Sequence, residues 1–170
     1  MSEREILQAA NEVYADLFSL GHLPMPPARR LAVVTCMDAR LDPAAFLGLE
    51  PGDAHVIRNA GGIVTDDALR SLVISHWLLG TQEVAVVVHT DCGMLTFTND
   101  SLRAKLAHET GADASYVDFH PFPDLEQSVR DSLGRIRESP LLPDSLELSG
   151  WVYDVRSGRI EQVREAVRAA

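Results

Sequence analysis

The stretch VVTCMDARLD, residues 33 to 42, ends an apolar run with Cys36, Asp38 and Arg40 at alternate positions. In extended backbone, side chains at i, i+2 and i+4 share one face, so a thiol, a carboxylate and a guanidinium would project into the same space. A second reactive stretch, HTDCGM, places His89 at the end of another apolar run and Cys92 three residues later. Two thiolates and one imidazole form a recognised zinc set. Three protein ligands leave the fourth tetrahedral position for water or substrate, which marks a catalytic centre rather than a structural one. An H-x-x-C spacing alone is common, and a lone histidine at a strand end is ordinarily a packing or capping residue. The combination carries the inference, in a chain whose only cysteines are these two. Cys92 also falls at an expected helix start, where the dipole favours the thiolate.

Asp38 admits more than one role. It could close the site as a fourth ligand, or it could stand beside the metal and bind Arg40, whose planar fork suits a bidentate carboxylate. Held that way it stays ionised and accepts a hydrogen bond from a zinc-bound hydroxide, aiming the lone pair at an electrophile. Zinc lowers the pKa of its water from about 15.7 to about 7 in favourable sites. Two thiolates donate more charge than imidazoles and would set it higher. The plain alternative for Asp38 and Arg40 is a structural ion pair. A third element, VIRNAGGIVTDD, offers Asn59, Gly61 and Gly62 as pocket residues, since glycines after a strand allow close backbone approach. No G-x-G-x-x-G fingerprint or P-loop is present, so nucleotide binding has no support.

Positioning these groups requires a sheet. The runs LAVVTC (31–36), AHVIRN (54–59) and VAVVVH (84–89) are near-continuous and rich in β-branched residues, as buried parallel strands are. A helix is expected between the second and third, capped by Thr65 and stopped by Gly80, with Asp66 and Asp67 at its positive end. Further helices are expected over about 95–109 and 124–139, then a late strand, a turn at Ser157–Gly158 and a short terminal element. The alternation predicts an α/β fold, a mostly parallel central sheet flanked by helices on both faces. Sites in open α/β sheets gather outside the carboxyl ends of the strands, which brings His89 and Cys92 toward Cys36. Residues 109–124 lack periodicity and hold three aromatics, as a pocket rim or a loop pinned by its rings would.

The N-terminus reads as an amphipathic helix with Ile6, Leu7, Ala10, Val13, Tyr14 and Leu17 on one side, followed by the proline-rich connector GHLPMPPARR. We expect residues 1–22 to form a helical arm, against a partner subunit or its own body, and residues 31–155 the core of a single domain spanning 1–170. Net charge is −10, from 15 basic and 25 acidic residues, which argues against nucleic acid and anionic membranes as partners. The longest apolar run, VAVVV, is far short of a membrane span, and the N-terminus lacks a signal-peptide core, so a cytoplasmic protein is expected. Two cysteines in a reducing compartment leave metal binding, redox chemistry or burial rather than a disulfide. The absence of a C-x-x-C disfavours a thiol redox protein.

CMDAR, IRNAGG and HTDCGM, in that order and spacing, closely resemble the β-class carbonic anhydrases, particularly their short prokaryotic branch. The resemblance implies a zinc lyase (carbonate dehydratase) interconverting carbon dioxide and bicarbonate through zinc hydroxide, with one Zn2+ per subunit and a homodimer or dimer-based oligomer. It maps the metal ligands onto Cys36, His89 and Cys92, and a catalytic Asp–Arg dyad onto Asp38 and Arg40. Ala39 stands where the family usually has serine, which removes a hydroxyl but no ligand. Val33 stands where members with an inhibitory bicarbonate pocket carry tryptophan, so that pocket is not expected. The plant-like glutamine near the metal has no counterpart, leaving the apolar wall undefined. Relatives of this branch hydrolyse carbonyl sulfide or carbon disulfide with the same ligands, and a non-catalytic zinc module on this fold is a further alternative. The proton acceptor is open among His22, His55, His76, His108 and His120, with His76, beside Trp77, expected in the core.

Overall fold

Strands β1 (Leu31–Cys36) and β3 (Glu83–His89) pair in parallel at the centre of a five-stranded sheet ordered β2-β1-β3-β4-β5. β2 (Ala54–Asn59) flanks β1, and β4 (Glu147–Tyr153) flanks β3, both in parallel. Short β5 (Ile160–Gln162) adds antiparallel to β4 after a turn in which Gly158, at φ 72°, donates its N–H to the Asp154 carbonyl. A computed structural model describes these elements over residues 1–164; the last six positions of the expected 1–170 domain lie outside the described residues.

Valines make β1 and β3 work as central strands, because successive side chains fill opposite faces. Val34, Val84, Val86 and Val88 join Leu72 of α3 (Asp66–Leu79) and Val129, Leu133 and Ile136 of α5 (Leu125–Arg137) in the larger core. Val33, Ala85 and Val87 face the other way, onto Leu49 and, from α2 (Pro43–Leu47), Phe46 and Leu47. Helices therefore flank both faces, but unequally: among the described residues the long helices α3 and α5 pack on one face and the short α2 on the other. Gly150 of β4 lets α5 approach, since a Cβ there would lie 2.3 Å from Val129 Cγ1.

Three expectations change. β2 is not a buried strand: it forms a sheet edge, its residues alternate between half-buried and exposed, and Val56 is 41% exposed. His76 is only half-buried, with Nδ1 at 2.7 Å from the Thr81 carbonyl and its ring edge-on to Trp77, itself 61% exposed. α1 (Glu3–Asp16) is fixed locally by a capping box, Ser2 with Glu5, and buries none of its residues. α4 (Asn99–Thr110) starts later than expected, because Thr98 caps it; before it comes only a 3-10 turn, Gly93–Leu95.

Candidate metal centre

β1 connects toward β2 on one side and β3 toward β4 on the other, so the strand order reverses between β1 and β3. The crevice outside the carboxyl ends at such a reversal is where α/β sheets bind ligands. Cys36 and His89 are the last residues of those two strands. Cys92 follows at the start of the 3-10 turn, and the ligand atoms of Cys36, His89 and Cys92 all lie within 4.8 Å of one another. All three residues are buried. A three-residue turn offers little dipole, so the expected helix-end effect on Cys92 is not what activates the thiols here.

The loop after β2 shapes this end of β1. Asn59 turns its amide inward on its own loop: Nδ2 donates to the Ile63 carbonyl at 2.8 Å, and the Ile63 N–H donates to Oδ1 at 3.1 Å. The loop then passes so close to Cys36 that a Cβ on Gly62 would lie 2.6 Å from the Cys36 nitrogen, at φ 66°. Only glycine fits both the space and the backbone. Gly61, at φ 89°, admits the ring of Phe122, whose Cε1 would be 2.9 Å from a Cβ. Arg58, unassigned from sequence, pins the first reactive stretch: Nε donates to the Cys36 carbonyl and Nη2 to the Asp38 carbonyl, at 2.9 and 2.7 Å.

Whether a metal fits can be read from His89. Its ring is fully buried, and Nδ1 lies 2.9 Å from the Thr90 carbonyl. A carbonyl can only accept, so the proton sits on Nδ1 and Nε2 is left with a lone pair. Nε2 has no hydrogen-bond partner, a rare condition for a buried nitrogen. A cation bound to it and the two sulfurs satisfies all three atoms. Without metal the hydrogen bond with Cys92 is the main cause lowering the Cys36 pKa, helped by the neighbouring His89 and by the backbone amides of Asp38 and Gly61. The same bond, then burial, raises Cys92. For His89, burial opposes the protonated form, but the neighbouring Cys36 thiolate outweighs it and the pKa rises.

Asp38 lies beside this trio, its Oδ2 3.8 Å from His89 Nε2, and both its oxygens are held by Arg40. Nε donates to Oδ1 at 2.9 Å and Nη2 to Oδ2 at 2.8 Å, while the Arg40 backbone N–H also reaches Oδ1. These bonds hold the carboxyl well below the usual carboxylate range. The other edge of Arg40 meets Asp91, a residue sequence reasoning passed over between His89 and Cys92 of HTDC. Leu41, Met94, Phe97, Phe122 and Val155 pack around Cys36 and Cys92 and supply the apolar wall. Phe122 comes from the 109–124 loop, which is pinned by Arg103 to the Val117 carbonyl and by Asn99 to the Phe119 N–H. That loop is both anchored and part of the site. Three of the other histidines bond away from this site: His22 to Ser19, His55 to Ser75, and His120 to Asp118.

An α/β sheet with two thiols and an imidazole gathered at its reversal point, beside an arginine-bound carboxylate, is the arrangement of a zinc enzyme's metal site. A family model described as carbonic anhydrase matches residues 31–160. The chain is 48% identical over 155 residues to β-carbonic anhydrase 1 of Mycobacterium tuberculosis, covering 91% of this chain and 94% of that one. The crystal structure of a carbonic anhydrase from Streptococcus mutans superposes with a TM-score of 0.93 at 49% identity, covering 96% of this chain and 99% of that one. A carbon disulfide hydrolase of Acidianus sp. is more distant, at 36% identity over 167 residues, covering 84% of this chain and 81% of that protein. The chain belongs to the β-carbonic anhydrase family, zinc enzymes that catalyse the reversible hydration of carbon dioxide to bicarbonate and a proton.

Proposed function

We propose that Cys36, His89 and Cys92 hold the zinc of this carbonic anhydrase, and that Asp38, fixed by Arg40, orients the attacking water. Bound there, zinc supplies the Lewis acidity that makes water nucleophilic near neutral pH. The placement of Asp38 carries the assignment: it is beside the imidazole donor, yet both its oxygens are occupied by Arg40. It therefore stays ionised and stands next to the metal donors without adding a fourth ligand. A carboxylate so placed accepts a hydrogen bond from water and turns the oxygen lone pair toward the carbon of carbon dioxide. The new C–O bond gives bicarbonate, and the released proton passes to buffer. Gly61 and Gly62 act through space, admitting Phe122 and the Cys36 backbone to form the wall; Asn59 holds that loop in shape. Small apolar walls suit a linear, uncharged substrate.

The single-domain reading places the catalytic core at 31–155 and the arm at 1–22. The apolar side of α1 supports a homodimer, because Leu7, Val13, Tyr14 and Leu17 are each more than half exposed. An amphipathic helix of this kind is stabilised by packing its apolar face, and a second subunit offers one. Both cysteines are free, in keeping with a reducing, cytoplasmic setting. Among the described residues no helix is long and apolar enough to cross a membrane.

Stopped-flow hydration of carbon dioxide, beside carbon disulfide hydrolysis on the same zinc-quantified protein, tests the reading. Efficient hydration with at most trace release of sulfide is expected. The reverse preference would refute it. Sedimentation should give a dimer, and deletion of residues 1–22 should shift the protein toward monomer.

A further inference from the structure

Arg40 is shared between two carboxylates. Nε and Nη2 hold Asp38, while Nη1 donates to Asp91 Oδ2 at 2.8 Å and Nη2 also donates to the Asp91 backbone carbonyl at 3.0 Å. Asp91 sits between His89 and Cys92 in the chain and adopts a left-handed backbone, φ 57°. That conformation is uncommon outside glycine, asparagine and aspartate, and such residues concentrate at functional sites. Here it coincides with both the carbonyl and the carboxylate of one residue meeting the same guanidinium.

We propose that Asp91 is a positioning residue for the hydration reaction: it clamps the far edge of Arg40 and so fixes where Asp38 stands relative to the metal donors. The inference rests on the role given to Asp38 above. A bidentate pair sets the position of two groups relative to each other, not relative to a third. Arg40 has a long, flexible stem, and its side chain is 47% exposed, so an isolated exposed pair would be screened and free to move as a unit. Asp91 ties that unit to the short segment joining two metal ligands. Asp38 Oδ2, 3.8 Å from His89 Nε2, then keeps its place without being a ligand itself. A displacement on the order of 1 Å at such a group is enough to lower turnover severely. The clamp works through acceptor oxygens, so an amide oxygen in place of the carboxylate should preserve much of it.

Asp91→Gly and Asp91→Asn test this, with Asp38→Ala measured alongside. Glycine and asparagine both accept the left-handed backbone, so the ligand segment keeps its shape. Three quantities are read: kcat/KM for carbon dioxide hydration, zinc per chain, and the exchange rate of the Arg40 Nε–H by NMR in the metal-free protein. Asp91→Gly should lower kcat/KM about tenfold with zinc retained, and speed Nε–H exchange by a similar factor. Asp91→Asn should stay within about threefold of the parent in both. The clamp is overturned if Asp91→Gly leaves kcat/KM or the exchange rate unchanged. It is equally overturned if asparagine falls as far as glycine, or if the loss of activity tracks loss of zinc. Full turnover in Asp38→Ala would instead sink the underlying role of Asp38, whatever the Asp91 variants do. A large loss in Asp38→Ala with none in Asp91→Gly would remove the positioning role alone.

Discussion

The two halves of the site are built differently. Cys36, His89 and Cys92 are buried at strand ends, with the His89 ring 0% exposed and one nitrogen left unpaired. Asp38, Arg40 and Asp91 form a half-open network in which every charged group has found an opposite charge. The first half is incomplete without a cation; the second is complete already. Metal retention and turnover should therefore be separable by substitution, which is the lesson of the contrast.

Breaking the buried half should have the largest effect. Cys92→Ser replaces a thiolate with a weakly ligating hydroxyl, so zinc per chain should fall well below one by elemental analysis and hydration should drop at least about a thousandfold. Gly62→Ala strikes the same half from outside, since the added Cβ meets the Cys36 backbone at 2.6 Å and φ is positive. A loss of about 2 to 4 kcal/mol is expected in denaturant unfolding of the zinc-loaded protein.

The contrast sharpens with pH. In the metal-free chain Cys92 is raised, chiefly by its bond to Cys36, and keeps its proton near neutrality, while Cys36 is lowered. Zinc must displace the Cys92 proton, and the His89 proton in the fraction of chains that carry it. Apparent zinc affinity should therefore rise with pH, about tenfold to a hundredfold per unit near neutrality, and weaken as pH falls. Chelator competition across that range measures it. The Asp38–Arg40 pair should not titrate there, because its carboxyl lies below the ordinary range and stays ionised.

Much of this was legible in the chain itself. Cys36 and His89 each end a run of β-branched residues, and parallel pairing alone brings those ends together. Gly61 and Gly62 announced a close approach, though only the folded chain shows that the neighbours are Phe122 and the Cys36 backbone. Asp91 escaped notice because i, i+2 spacing directs attention to one strand, whereas its partner Arg40 lies 51 residues away. Phe122 was hidden for a similar reason: it arrives on a loop without periodicity, and its position depends on Asn99 and Arg103 bonding that loop's backbone. β2 looked as buried as β1 because an apolar run does not say which strand lies at the edge.

The central claim is that holding the metal and aiming the nucleophile belong to different residues. Asp38→Ala tests it most directly, with zinc content and stopped-flow hydration measured on one preparation. Zinc should remain at one per chain while kcat/KM falls about a hundredfold. Parent-like turnover, or loss of zinc together with activity, would contradict the account.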